Sequence, residues 1–159
     1  MGDHLRVVEA DWTLRAASAE DRDFVFELNR TTMRSYVDAT WGWDDDEQVA
    51  FFGAHFDPER CEIIQAENEE IGVLAVEEKA DEIYLAEIQL LPQWQGRGIG
   101  SAIIGSLLER GATAGKPVTL RVLHSNPRAA ELYESLGFTA FRTIETHTYM
   151  RADPSRATD

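Results

Sequence analysis

The sequence contains little cysteine, no long apolar run and few basic residues. Its one cysteine, Cys61, cannot form a disulfide within the chain, and we expect it in a strand as a small apolar side chain. No apolar run approaches the ~20 residues that span a membrane, and residues 1–6 lack the basic-then-apolar pattern of a signal peptide. These absences favour a cytoplasmic protein with no membrane partner.

The charge of the chain is strongly unbalanced. It has 29 acidic and 15 basic residues, which gives a net charge of −14 at pH 7. Such a protein should repel nucleic acid, so we expect no nucleic-acid partner. The same charge would attract a cationic acceptor such as a polyamine, an amino sugar or a basic peptide. The other interpretation is that the acidic surface only keeps the protein soluble.

The length of 159 residues predicts a single domain, residues 1–159, with one hydrophobic core. We expect the core over residues about 12–151 and fraying at the polar, aperiodic ends 1–11 and 152–159. His55 and His124 have no partners at metal-ligand spacing, so we predict no metal site.

A glycine-rich stretch at residues 95–100 lies between an apolar run and a helical pattern. Residues 83–91 are rich in Ile and Leu and predict a strand, and apolar residues recur with helical spacing from Gly98 onward. Glycines let backbone N–H groups approach a ligand, and a helix N-terminus adds its dipole. The stretch therefore suits a phosphate or pyrophosphate, although a plain structural turn is the alternative.

Two common phosphate-binding motifs do not fit this stretch. A P-loop needs a lysine after its glycines, and no lysine follows here. The dinucleotide-binding fingerprint needs a third glycine at the position that Ser101 occupies. What does fit is the pattern Q-x-x-G-x-G, at Gln95, Gly98 and Gly100.

The hydrophobic periodicity predicts the other elements along the chain. Because a helix separates them, the strands at 83–91 and 118–123 should run parallel. Residues 138–151 return as extended chain, either as one long strand or as a hairpin. Strands are predicted at 12–16, 61–65, 71–76, 83–91 and 118–123, helices at 18–37 and 44–57 and from Gly98 until Gly111 and Gly115 break the pattern, and a polar turn at 67–70.

The clearest helix begins after Asn126. Asn126 is a favoured N-cap, Pro127 occupies the first helical position and Gly137 lies just past the end. Residues 126–138 read N-x-x-A-x-x-x-Y-x-x-x-G-F, with Tyr133 at the tyrosine position.

Together, the two motifs and the order of the elements resemble the GNAT family of N-acetyltransferases over residues 12–150. The resemblance implies an α/β fold with a mixed, mostly antiparallel sheet, a splayed parallel pair of strands and about four flanking helices. It implies an enzyme that moves the acetyl group of acetyl-CoA to a primary amine of a small molecule or peptide, by direct attack in a ternary complex. A non-catalytic acyl-CoA-binding sensor or interaction module of the same fold is the alternative. Many members form dimers, and the sequence leaves a homodimer open.

The resemblance also implies where the co-substrate binds. The glycine-rich loop would hold the pyrophosphate, and backbone groups of the preceding strand would pair with the pantetheine arm. Asn126 would contact the arm or a water in addition to capping its helix. The implied cofactor-binding residues are Ile88, Gln89, Leu90, Gln95, Gly96, Arg97, Gly98, Ile99, Gly100, Ser101 and Asn126.

Two residues are the implied catalytic groups. Tyr133 would be the general acid that protonates the departing thiolate, or else an amphipathic side chain on the buried face of its helix. Glu87 is the one carboxylate in the strand at 83–91, and it would accept the proton of the amine. A partly dry cleft would raise its pKa toward a useful value. Otherwise Glu87 lies at a sheet surface.

Acceptor recognition is expected from the first two helices and the final strands. Tyr36, Trp41 and Trp43 lie beside Asp38 and the acidic residues 44–46, and aromatic rings near carboxylates suit a cation. His147 would approach the same cleft from the last strand. The competing interpretation is that these aromatic rings pack between helices and the acidic run caps one of them.

Overall fold

A computed structural model describes residues 11–154 of the chain. Within that range the chain forms seven strands, four α-helices and three short 3-10 turns. The strands are β1 (Thr13–Ala16), β2 (Cys61–Ala66), β3 (Glu69–Glu78), β4 (Ile83–Leu90), β5 (Val118–Leu123), β6 (Thr139–Thr143) and β7 (His147–Ala152), and the helices are α1 (Arg22–Trp41), α2 (Asp45–His55), α3 (Ile99–Ala114) and α4 (Pro127–Ser135).

The strands form one mixed sheet in the order β1-β2-β3-β4-β5-β7-β6. β4 and β5 are parallel, with Ile83 opposite Val118, while β1–β2, β2–β3, β5–β7 and β6–β7 are antiparallel. This arrangement confirms the predicted fold class, including the parallel pair on either side of α3.

The chain groups into two compact units. The first consists of the described residues up to Ala75 together with Glu87–Ala102, and the second of Val76–Ala86 together with the described residues from Ile103 onward. Strands β3 and β4 and helix α3 each contribute residues to both. The single-domain organisation stays a prediction.

The core of the first unit lies between α1 and the sheet. Val25 and Leu28 of α1 pack with Ile63 and Val73, and partly buried aromatic rings, including Phe52, close the cluster. Full burial of such a side chain contributes roughly 1.5–3 kcal/mol. The apolar stripe of α1 therefore fixes the helix on the strands.

Ser18, a residue type that favours N-cap positions, caps the 3-10 turn Ala19–Asp21 that leads into α1. Its hydroxyl accepts from the backbone of Glu20, and Asp21 returns a bond to the backbone N–H of Ser18, which forms a capping box on a short 3-10 turn. The predicted end of α1 at residue 37 is wrong. The helix continues to Trp41 and stops at Gly42, whose φ of +89° suits glycine.

The spacing of Val49, Phe52 and Phe56 predicts one apolar stripe along α2, and the structure corrects this prediction. Asp44 caps the helix through Glu47 N, but α2 ends at His55, so Phe56 lies beyond it. Val49 is 53% exposed, and of the stripe Phe52 and Phe56 pack against the core of the first unit. The contact of α2 with the core is therefore narrow and does not involve a full apolar face of the helix.

The turn between β2 and β3 is tighter than predicted. It consists of Glu67 and Asn68, with φ of +52° and +65°, and β3 already begins at Glu69. Two consecutive positive φ values are the geometry of the two-residue hairpin turn that matches strand twist. The charged pair after the turn, Glu69 and Glu70, therefore belongs to the strand.

In the second unit β5 and β7 contribute buried residues, together with the inner face of α3. Leu120 of β5 lies opposite Met150 of β7, and both side chains are buried. The extended segment after α4 is a hairpin, β6–β7, which settles the alternative left open by the sequence. Ala152, predicted to fray, is the buried last residue of β7, opposite Val118. The fraying predicted for 1–10 and 155–159 lies outside the described residues.

Of the two glycines predicted to end α3, Gly111 lies within the helix, which continues to Ala114 and stops before Gly115, whose φ is +71°. A Cβ atom at Gly111 would lie 2.6 Å from the backbone oxygen of Lys116. Glycine is therefore needed here because the returning chain passes close to the helix. Over residues 11–154, no helix is both long and apolar enough to cross a membrane.

Candidate functional site

The glycine-rich loop joins β4 to α3. After β4 ends at Leu90, a 3-10 turn over Pro92–Trp94 leads to Gly96 and Gly98, with φ of +77° and +88°. L-residues with a side chain rarely adopt these φ values. Gln95 ties the loop to the strand, because its Nε2 donates to the backbone oxygen of Leu90 at 2.9 Å.

The loop ends in a helix N-terminus and carries a cation. α3 begins at Ile99, and the backbone N–H groups of its first turn have no partner within the helix. The guanidinium of Arg97 stacks on the ring of Trp94, 4.4 Å from the ring centroid, and Trp94 is itself buried. Unpaired N–H groups, the helix dipole and a held positive charge together suit a phosphate-rich ligand.

A polar network surrounds Glu87 in the first unit. Gln89 Nε2 lies 2.6 Å from Glu87 Oε2 and 3.1 Å from Asn29 Oδ1. Gln89 Oε1 lies 2.9 Å from the hydroxyl of Thr32. The structure thus brings the predicted base together with two α1 residues that the sequence did not identify. The one available signal was that Asn29 and Thr32 are polar residues next to the apolar stripe of α1.

Burial governs the protonation of this region. Loss of water raises the pKa of Glu87, and the hydrogen bond from Gln89 acts in the opposite direction. Burial, followed by the charges of Glu87 and Asp57, raises the pKa of the Cys61 thiol to about 11. Cys61 therefore stays a neutral thiol at physiological pH, which agrees with its assignment as a small side chain in a strand.

In the second unit Asn126 and Tyr133 lie at opposite ends of α4. Asn126 caps the helix, with its Oδ1 accepting from Ala129 N at 3.2 Å. Tyr133 is partly buried and meets Phe138 edge to face at 5.9 Å between ring centroids. Burial raises the pKa of Tyr133. Within residues 11–154 its hydroxyl has no hydrogen-bond partner, so its proton is available to a ligand.

The aromatic residues after α1 have partners of their own. Trp43 Nε1 donates to Asp45 Oδ1 at 2.7 Å, and the guanidinium of Arg34 lies over the Trp43 ring at 5.5 Å. Trp41 is 60% exposed. The Trp43 ring, which the sequence predicts to contact an acceptor cation, thus already lies beside the guanidinium of Arg34.

His147 belongs to the second unit, whereas Tyr36, Trp41 and Trp43 belong to the first. It lies opposite Leu123 in the β5–β7 pair, and its Nδ1 is 2.8 Å from the hydroxyl of Thr146. Burial, followed by the positive charges of Arg121 and His124, lowers its pKa. Among residues 11–154 no cluster of three or more His, Cys, Asp or Glu side chains is placed to hold a metal ion.

Comparison with known proteins identifies the family. The profile of the family described as "Acetyltransferase (GNAT) domain" matches residues 57–140, which include the glycine-rich loop, Glu87 and Tyr133. The chain belongs to this family of acetyltransferases. The matched segment is more than half of the chain and covers the elements from β2 to the start of β6.

Individual relatives align over shorter segments. Thialysine N-epsilon-acetyltransferase of Bos taurus is 42% identical over 60 residues, which are 37% of this chain and 35% of the relative. Mycothiol acetyltransferase of Nocardiopsis dassonvillei is 38% identical over 80 residues, which are 50% of this chain and 24% of that protein. The alignments thus span about a third and a quarter of these relatives.

Solved structures share the fold over most of the chain. The PaiA N-acetyltransferase of Thermoplasma acidophilum, crystallised with coenzyme A, superposes with a TM-score of 0.73 at 16% identity. The match covers 90% of this chain and 99% of that one. At this identity the likeness concerns the fold alone.

Proposed function

We propose that the protein is an N-acetyltransferase that moves the acetyl group of acetyl-CoA to a primary amine of a small molecule or peptide, by direct attack in a ternary complex. Membership of the acetyltransferase family supports the reaction class. The observation that carries the proposal is the glycine-rich loop, whose positive-φ glycines lead directly into the N-terminus of α3.

The loop has the features that a pyrophosphate requires. Side chains are absent at Gly96 and Gly98, and Gln95 anchors the loop to β4. Arg97 contributes a positive charge, and the backbone N–H groups of the first turn of α3 are donors without helical partners. We assign the pyrophosphate to Gln95, Gly96, Arg97, Gly98, Ile99, Gly100 and Ser101, and the pantetheine arm to Asn126 and to the backbone of Ile88, Gln89 and Leu90.

Acetyl-CoA, when bound, supplies a thioester carbonyl that an amine attacks while the carbon–sulfur bond breaks. Glu87 accepts the proton that the amine loses, and its raised pKa makes it a stronger base than an exposed carboxylate. Tyr133 gives its proton to the departing thiolate. A phenol with the ordinary pKa of 10.0 is already protonated near neutral pH, and burial raises the pKa of Tyr133 further, so the proton is present.

The acceptor is proposed to be a primary amine that carries positive charge. The net charge of −14 favours its approach. We assign recognition to Tyr36, Trp41, Trp43 and His147. For Trp43 the acceptor would then share the ring with Arg34, or displace it. Action in the cytoplasm and a homodimeric state are parts of the same proposal.

Calorimetric titration with acetyl-CoA is the first test, run beside a variant that carries Gly98→Glu and Gly100→Glu. We expect micromolar binding that this variant loses, since two carboxylates would fill the loop and repel phosphate. Wild-type protein that is folded, ligand-free and unable to bind acetyl-CoA would refute the proposal.

A panel of primary amines then separates the enzyme from the sensor. Acetylation of an amine by wild-type protein, much reduced by Tyr133→Phe, supports the enzyme. Tight acetyl-CoA binding without acetylation of any amine supports the non-catalytic module, whose retained feature is the intact loop.

A further inference from the structure

A chain of hydrogen bonds within the first unit links α1 to the carboxylate of Glu87. Its middle member is the side chain of Gln89, a residue only 9% exposed. The Gln89 N–H₂ group faces Glu87 Oε2 at 2.6 Å and Asn29 Oδ1 at 3.1 Å. Its carbonyl oxygen faces the Thr32 hydroxyl at 2.9 Å. The amide thus has partners on both of its ends.

We propose that Gln89 is a positioning residue that holds Glu87 as an oriented carboxylate, and that Asn29 and Thr32 fix the direction of the Gln89 amide. The inference rests on the proposed function, in which Glu87 accepts the proton of the acceptor amine. It gives the Gln89 side chain a role distinct from the co-substrate contact assigned to its backbone.

Glu87 needs such a partner because a carboxylate that is partly removed from water loses favourable solvation free energy. Such an ion needs hydrogen bonds from the protein to replace those it loses. Within residues 11–154, Gln89 Nε2 is the only side-chain donor to Glu87, and no Lys, Arg or His pairs with it. The charge of Glu87 also acts on the nearby Cys61, as does that of Asp57, but neither Cys61 nor Asp57 carries a positive charge that could pair with Glu87. The charged form of Glu87 therefore depends on one amide.

The α1 partners decide which end of the amide faces Glu87. A rotated Gln89 would place its carbonyl oxygen against the carboxylate, where two acceptors repel. Asn29 Oδ1 accepts from the N–H₂ end and Thr32 donates to the carbonyl end, a pattern that matches the productive direction. Thr32 also lies 2.9 Å from the backbone oxygen of Leu28. Its single proton is shared between two acceptors, so its contribution is smaller than that of Gln89 itself.

The consequence is a defined shift in protonation. Burial raises the pKa of Glu87 and the Gln89 bond restrains that rise. Without the bond, Glu87 would keep its proton to higher pH, and a protonated Glu87 cannot accept the proton of an amine. The acidic limb of the pH profile of kcat/KM would therefore move to higher pH.

Carbon-13 NMR of the full chain, labelled at the glutamate Cδ, measures the titration of Glu87 without any acceptor. Its resonance is the one that disappears in Glu87→Gln. In Gln89→Leu we expect the midpoint to rise by about one to two pH units, the equivalent of losing a hydrogen bond to a charged group. Thr32→Val should raise it by less.

Thr40→Val is the matched control. Thr40 makes the same hydroxyl-to-carbonyl bond within α1, to Tyr36 at 2.9 Å, but it lies eight residues, or ~12 Å, further along the helix. We expect no shift of Glu87 in this variant. A folded Gln89→Leu protein with an unmoved midpoint overturns the proposal. If Gln89→Leu does not fold, an unmoved midpoint in Thr32→Val overturns it instead.

The pH profile of acetylation is the second measurement. In Gln89→Leu the acidic limb of kcat/KM should move by the same amount as the NMR midpoint. An NMR midpoint that moves while no amine is acetylated supports the link between Gln89 and Glu87 and contradicts the proposed function. The two failures are therefore distinguishable.

Discussion

The side-chain amide of Gln95 donates to the backbone oxygen of Leu90 at 2.9 Å. The first residue of the glycine-rich loop is thereby fastened to the last residue of β4. This side-chain bond adds to the backbone bonds of the 3-10 turn, from Trp94 N to Leu91 O and from Gln95 N to Pro92 O, in restraining the entry of the loop. It therefore contributes to the order of the loop before a ligand arrives.

Gln95→Ala should therefore weaken acetyl-CoA binding more than it weakens the fold. We expect a loss in stability of about 0.5–1.5 kcal/mol, the contribution of one hydrogen bond, and a several-fold rise in the Kd for acetyl-CoA. Urea unfolding and calorimetric titration measure the two effects. Gln93→Ala, at an exposed position in the 3-10 turn that precedes Gln95, is the control and should change neither. Equal Kd values for both variants would contradict the role of Gln95.

Tyr133→Phe tests the proposed proton donor without disturbing its packing. Phenylalanine keeps the edge-to-face contact with Phe138, so the stability should change by less than about 0.5 kcal/mol. Loss of a positioned proton donor should lower kcat by about 10²-fold, with little change in acetyl-CoA affinity. Steady-state kinetics and thermal unfolding give the two numbers. Full activity in Tyr133→Phe would remove Tyr133 from the mechanism.

Gly111 and Gly105 offer a matched pair within α3. A Cβ atom at Gly111 would lie 2.6 Å from the Lys116 carbonyl oxygen, whereas one at Gly105 meets nothing within 4 Å. Gly111→Ala should destabilise the protein by about 1–3 kcal/mol, because backbone atoms must move apart. Gly105→Ala should stabilise it by about 0.5–1 kcal/mol, as alanine favours helix. Urea unfolding curves of the two variants should shift in opposite directions.

Asp21 links folding stability to pH. Arg15 holds it with bonds of 2.8 and 2.9 Å, and the Ser18 N–H donates to it at 2.8 Å. The Arg15 hydrogen bond, followed by the backbone N–H of Ser18, outweighs burial and lowers the pKa of Asp21. A carboxyl with a lowered pKa in the folded state stabilises the fold above its ordinary pKa of 3.8 and loses that contribution as the pH falls through the lowered value.

We therefore expect Asp21→Asn to cost about 2 kcal/mol at neutral pH. The difference from wild type should stay constant down to about pH 4 and shrink below it. Urea unfolding at stepped pH values measures this. Glu70→Gln, which alters the exposed partner of Arg15, should cost less than about 1 kcal/mol. A difference for Asp21→Asn that does not depend on pH would show that its charge is not involved.

The sequence by itself determined those features that depend on residues close together in the chain. The caps at Ser18 and Asn126 need a side chain and backbone groups only two or three positions away. The strand, glycine-rich loop and helix around Gly98 follow from local periodicity and from the φ values that glycine permits. The parallel pairing of β4 with β5 also followed, since a helical connection leaves little choice of direction.

Tertiary structure decided what depends on residues far apart in the chain. Gln89 meets Asn29 and Thr32 across sequence separations of 60 and 57 residues, and no periodicity in either segment indicates that contact. The continuation of α3 through Gly111 depends on where the chain passes at Lys116. β7 lies between β5 and β6 because it pairs with both strands, and such pairing between distant segments is set only in the folded chain. Interactions between neighbouring residues thus determine the helices, the strands and the glycine-rich loop. The surroundings of Glu87 form only when α1 packs on the sheet.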